Sequence, residues 1–165
     1  DLTWGDGRAL TVQDFIYAEL RYLDDRDWDS WLSLFDEGVE FWVPAWDSEY
    51  ETTTDPQNEM SLIFYSSRSG LEDRVFRIRT GLSAASTPLP RTCHIVSNIQ
   101  ITETSEGYGV TANWVSHAFR NGETTTFYGS YNYRILEDGR GFRIGAKKII
   151  VMNDLIPTVL DIYNI

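Results

Sequence analysis

The sequence is poor in the residues that hold metals. Its 165 residues include one cysteine, Cys93, and two histidines, His94 and His117. A four-cysteine zinc site, a Cys/His zinc site of the finger type and a Rieske cluster (two cysteines and two histidines) each need more ligands than this. Only an iron site of two histidines and one carboxylate can be assembled, from His94, His117 and an acid. The two histidines are 23 residues apart and form no local motif. Glycine-rich phosphate cradles are missing as well: the chain has neither G-x-G-x-x-G nor a P-loop, so nucleotide cofactors have no visible seat. No metal and no cofactor is expected in this chain.

Other absences narrow the class further. A single cysteine excludes an internal disulfide and fits a reducing compartment, so the expected location is cytoplasmic. No apolar run approaches the roughly 18 residues that span a bilayer, and no membrane association is expected. The opening Asp1-Leu2-Thr3-Trp4 has neither the basic nor the apolar stretch of a signal peptide. It does not start on methionine either, so Asp1 is not read as the natural first residue. Basic residues are outnumbered, 14 against 25 acidic, giving a net charge of -11. Such a surface repels phosphate backbones, which argues against nucleic acid as a partner.

Aromatic residues, by contrast, are plentiful: six Trp, nine Tyr and eight Phe. Each can bury roughly 150–250 Å², which is ample for one core and leaves some for contacts with other subunits. No linker divides the chain, so residues 1–165 read as a single domain.

Hydrophobic spacing predicts a helix over Thr11–Asp25, with Val12, Phe15, Ile16, Leu20 and Leu23 on one stripe and Thr11 and Asp14 as a capping box. A short helix is expected over Trp28–Phe35, capped by Asp27. Val39–Val43 reads as a strand ended by Pro44, and Asp47–Asn58 as a long exposed loop. Leu62–Tyr65 reads as a short strand, and Leu71, Val75 and Ile78 support a helix over Gly70–Thr80. Asp73 and Arg77 are four apart and suited to pair there.

From Cys93 onward the pattern turns to β. Segments Cys93–Glu103, Tyr108–Arg120, Thr124–Leu136 and Phe142–Val151 are punctuated by Gly107, Asn121-Gly122 and Asp138-Gly139. Val110, Ala112 and Trp114 share one strand face, as do Phe127, Gly129, Tyr131 and Tyr133. Strands this long curl, and their concave apolar face needs helices over it. The expected fold is α+β: N-terminal helices packed on a strongly curved, mixed or antiparallel sheet, a cone-shaped half-barrel.

This element order resembles the nuclear-transport-factor-2-like superfamily. Within it, the sequence is similar to the small (beta) subunits of bacterial aromatic-ring-hydroxylating dioxygenases. The resemblance rests on four segments in the family's order: Glu40-Phe41-Trp42-Val43-Pro44, Gly70 to Ile78, Pro90 to Asn98, and Ala146 to Asp154. The Asp55-Pro56-Gln57 loop followed by Ser61-Leu62-Ile63 looks most like the branch acting on benzoate-type acids. The resemblance implies a non-catalytic, structural subunit that trimerises within a three-plus-three hexamer. Large (alpha) subunits there carry the Rieske two-iron two-sulfur cluster and the mononuclear iron, and a separate reductase supplies electrons from NADH.

Several residues admit two readings. His94 is either a general acid or base in the cone's pocket, with Asp14 or Tyr17, as in a stand-alone dehydratase or isomerase, or a histidine fixed by hydrogen bonds at a subunit contact. His117 reads as a surface or rim residue. Asp73, Arg74 and Arg77 are either a solvated helix face or an ionic contact with a partner. Arg91, with its fork of donors, suits carboxylate recognition across an interface. Trp42 and Trp46 are either core or interfacial anchors. Lys147 and Lys148 are either a charged strand face or a site for an acidic neighbour. Cys93 reads as a small inert hydrophobe.

Overall fold

The computed structural model describes residues 11–81 and 86–165; the Asp1–Trp4 opening read for targeting signals lies outside them. Helix α1 (Val12–Asp25) begins where expected. The Thr11 hydroxyl accepts from the Asp14 N–H, and the Asp14 carboxylate accepts from the Thr11 N–H. Its stripe of Val12, Phe15, Ile16, Leu20 and Leu23 is buried, and a left-handed Arg26 (φ 58°) ends it. Helix α2 (Trp28–Ser33) is capped by Asp27, as its sequence predicts.

Here the structure departs from the expectation. The helix stops at Ser33, and Phe35 opens strand β1 (Phe35–Pro44), which runs longer than Val39–Val43. The reason lies in pairing and packing. The Leu34 carbonyl accepts from the Ile144 N–H at 2.8 Å, and Phe35 packs edge-on between Trp31 (4.7 Å) and Phe41 (6.2 Å). These tertiary contacts outweigh local helix propensity.

After β1 come β2 (Ser61–Tyr65), α3 (Arg68–Arg79) and four long strands: β3 (Arg91–Glu103), β4 (Gly107–Arg120), β5 (Glu123–Asp138) and β6 (Gly141–Val151). The last four form the predicted antiparallel meander. The full sheet order is β2-β1-β6-β5-β4-β3, with β1 joined parallel to β6, so the sheet is mixed and open. The loop before β2 is not wholly exposed: Thr53 is buried, its hydroxyl donating to the Met60 carbonyl at 2.8 Å. Asn121 and Gly122 both take positive φ (52° and 80°), the backbone of a tight primed hairpin turn. At Gly129 a Cβ would lie 1.8 Å from the Ile150 carbonyl oxygen, so β5 and β6 meet at a distance only glycine allows.

One face of the sheet is concave and filled. Val110 opposes Tyr133, Ala112 opposes Tyr131, and Trp114 opposes Gly129, so the two predicted apolar faces are one surface. Phe41, Ile144, Ile149 and Val151 extend it across β1 and β6, under α1, α2 and α3. Trp114 stacks on Tyr131 at 5.3 Å with 9° between the rings.

Candidate functional site

Helix α1 meets edge strand β3 through a carboxylate the sequence reading did not select. Asp24 stands on the last turn of α1. Its Oδ1 accepts from His94 Nδ1 at 2.6 Å and from the Thr92 hydroxyl at 3.0 Å, and its Oδ2 accepts from the His94 N–H at 2.9 Å. The carboxylate thus satisfies an outward-facing N–H of an edge strand, as a neighbouring strand would. Burial pushes the Asp24 pKa up. Hydrogen bonds from the His94 ring and N–H, the His94 charge and the Thr92 hydroxyl outweigh it, and the net value falls below the ordinary 3.8.

A depressed carboxylate stabilises the fold at pH values above 3.8, and that contribution is lost as pH falls through the lower folded value. Asp24→Ala leaves three donors without their acceptor. Its expected cost is about 1.5–3 kcal/mol, measured by urea unfolding at pH 7. The difference from the parent protein should shrink below about pH 4.

Asp14 and Tyr17, the partners expected for His94, do line the same groove between α1 and β3, which has a volume of about 530 Å³ and also includes Leu20, Asp24 and Val96. Neither bonds to the imidazole. Asp14 serves the capping box, and the Tyr17 hydroxyl accepts from Gln13 Nε2 at 2.7 Å. The interior expected to hold a pocket beside His94 is packed with Trp31, Trp114, Tyr131, Tyr133 and Lys147, all fully buried. The two histidines cannot share a metal. His94 pairs with Ser116 across the strands, so His117, the next residue, points to the opposite face, where its Nδ1 lies 2.8 Å from the Thr126 hydroxyl.

Two basic residues assigned to an interface are used inside the chain. Lys147 is not on a charged strand face: it is fully buried, with Nζ 2.7 Å from Glu19 Oε1 and 4.4 Å from the Tyr131 ring centre. Glu19 also accepts from Tyr133 OH (2.8 Å) and Trp31 Nε1 (2.9 Å). Arg74 forms a two-pronged pair with Asp161, Nε to Oδ1 at 2.8 Å, and so pins the 3-10 helix Ile162–Asn164 against α3. His94 is likewise held within the chain.

Trp42 is buried, its indole donating to Ser61 Oγ, with Lys148 over its ring at 4.8 Å. Trp46 is part-exposed while donating to the Val151 carbonyl at 2.8 Å. Asp73 and Arg77 are exposed, and among the described residues they form no ion pair with each other. Holding two long exposed side chains together gains only ~0.3–0.5 kcal/mol, which their lost freedom offsets. Arg91 is exposed and lies over the Phe119 ring at 4.5 Å. Cys93 is exposed on the outer face rather than packed as a hydrophobe. Phe76, Tyr50, Met60, Leu155 and Val159 are also exposed.

The interior of the sheet is filled by aromatic side chains, and its buried charges are paired within the chain. The chain belongs to the ring hydroxylating beta subunit family, which it matches over residues 18–158. It is 44% identical over 156 residues to the toluate 1,2-dioxygenase subunit beta of Pseudomonas putida, covering 93% of this chain and 96% of that one. It is 42% identical over 156 residues to the benzoate 1,2-dioxygenase subunit beta of Acinetobacter baylyi, covering 93% and 92%. The crystal structure of the beta subunit of the benzoate 1,2-dioxygenase from Burkholderia mallei superposes with a TM-score of 0.78 at 34% identity, over 96% of this chain and 99% of that one. No helix among the described residues is long and apolar enough to cross a membrane.

Proposed function

We propose that this chain is the structural small subunit of the oxygenase component of an aromatic-ring-hydroxylating dioxygenase acting on benzoate-type acids. The observation that carries this reading is the family match along nearly the whole chain, with relatives whose names are those of benzoate and toluate dioxygenase beta subunits. Its work is assembly. Three copies form a trimer that holds three large subunits in register, and those subunits carry the Rieske cluster and the mononuclear iron. The residues of this chain do not fit either group, since His94 and His117 face apart and His94 Nδ1 is committed to Asp24. Trp46, Asp73, Arg77 and Arg91, with neighbouring apolar residues such as Phe76, keep exposed side chains and are the contact candidates.

The test is co-expression with its large subunit. The pair should purify as one particle of six chains that binds iron and oxidises an aromatic acid when a reductase and NADH are present. The small chain purified alone should be colourless and inactive. Stoichiometric iron on the isolated chain, or turnover without a large subunit, would reject the reading.

A further inference from the structure

Acidic residues are spread unevenly over the sheet. The chain has 25 of them, yet none lies in β3 from Arg91 to Thr102, in β4, or in β5 from Thr124 to Leu136. The acids of this region stand at strand ends and turns: Glu103, Glu106, Glu123, Glu137 and Asp138. On the far side of the sheet, β1 exposes Glu37 and Glu40.

The acid-free strands present a continuous outer face. On β4 the buried Ala112, Trp114, Ser116 and Ala118 point inward, so the residues between them point out, and the register carries that face onto β3 and β5. Ile95 opposes Val115, and Val115 opposes Tyr128, which makes an apolar row across three strands. Met152, whose N–H donates to the Tyr128 carbonyl at 2.8 Å, continues it past the end of β6. Ile95, Tyr128 and Met152 are 50%, 46% and 45% exposed. Four residues along β4 from Val115, Phe119 is exposed too, with the Arg91 guanidinium over its ring. Single exposed apolar residues need no explanation, but these are neighbours by register.

Charge selects the partner. Two copies of a chain with a net charge of -11 repel wherever their acids are brought together, and like charges at a contact oppose it. A second copy covering the outer face of β3, β4 and β5 meets no carboxylate there. A ring of three is closed by heterologous contacts, in which one patch meets a different surface of the next copy. An acid-free patch bearing an arginine accepts such a neighbour even where the neighbour is acidic. Resting on the three-copy assembly proposed above, we propose that this outer face, centred on Ile95, Val115 and Tyr128, is where one copy of the chain packs against the next.

The co-expressed oxygenase tests this. A benzophenone amino acid in place of Tyr128 should, on irradiation, link two small chains. Tyr128→Glu should weaken association of the small chains by roughly 100-fold or more, while Tyr128→Phe assembles as the parent does. Cys93, the chain's single thiol, is exposed on the same face two residues before Ile95. In the particle it should react with a bulky maleimide at least roughly tenfold more slowly than in the chain dissociated by Tyr128→Glu, because the core of a contact excludes solvent. The crosslink, made without adding charge, decides the matter should Tyr128→Glu fail to fold. A link to the large subunit, no link between small chains, a thiol equally reactive in both states, or normal assembly of Tyr128→Glu would each overturn this contact and leave the six-chain reading standing. No particle from the parent chain would reject that reading, and this contact with it.

Discussion

Glu19→Gln is expected to destabilise the protein by about 3–5 kcal/mol, the cost of leaving one partner of a buried ion pair uncompensated. Glu19 and Lys147 both have fully buried side chains. Glu19 spends its oxygens on Lys147, Tyr133 and Trp31 together. A glutamine has one acceptor and one donor in that place, so it cannot serve two uncharged donors and an ammonium at once. For a domain of this size each kcal/mol moves Tm by roughly 2–4 °C, so the loss should be plain in a thermal scan.

The double variant Glu19→Gln with Lys147→Met is expected to recover most of it. The amide oxygen then accepts from Trp31, its N–H faces the Tyr133 hydroxyl, and the methionine lies among the rings the ammonium touched. Losses that simply add in the double variant would refute the pairing. Burial lowers the Lys147 pKa from 10.5 against the opposing pull of Glu19. In Glu19→Gln that pull is gone. A base whose folded pKa lies below its unfolded value makes stability rise with pH between the two values. The single variant should therefore regain stability as pH climbs toward 10.5.

Asp161→Ala is the second large effect. Asp161 holds the Arg74 guanidinium and accepts from the Ile162 N–H at 2.7 Å, and the segment it anchors buries Ile162, Tyr163 and Ile165. Removing the carboxylate leaves Arg74 unpaired at a site where its side chain keeps 19% exposure. The expected cost is about 3 kcal/mol, the low end of the buried-pair range, because the guanidinium still reaches water. Hydrogen exchange should show Ile162, Tyr163 and Asn164 losing protection first, while β4 and β5 stay protected. Arg74→Ala should reproduce that local loss. Uniform loss across the sheet in either variant would show that the pair does not act locally.

Much of this molecule was readable from residue order. The capping box at Thr11, the Asp27 cap, the four β segments and the alternation that puts Trp114 and Tyr131 inside all follow from contacts within one helix turn or one strand, which sequence spacing records directly. The buried charges leave signals in the residue order too. Glu19 falls inside the α1 stripe, three residues after Ile16 and four before Leu23, and Lys147 alternates with Ile149 and Val151. Position therefore placed both inward, against the expectation that charge means surface.

The local architecture and the poverty of metal ligands depend on residue type and near spacing, so residue order alone carries them. Which charges meet is a property of the folded sheet. Asp24 finds His94 across 70 residues, Glu19 finds Lys147, and Arg74 finds Asp161 across 87. These pairings arise when the curved sheet folds α1 and the final segment onto itself, and no local period encodes a contact made by closing so long a loop.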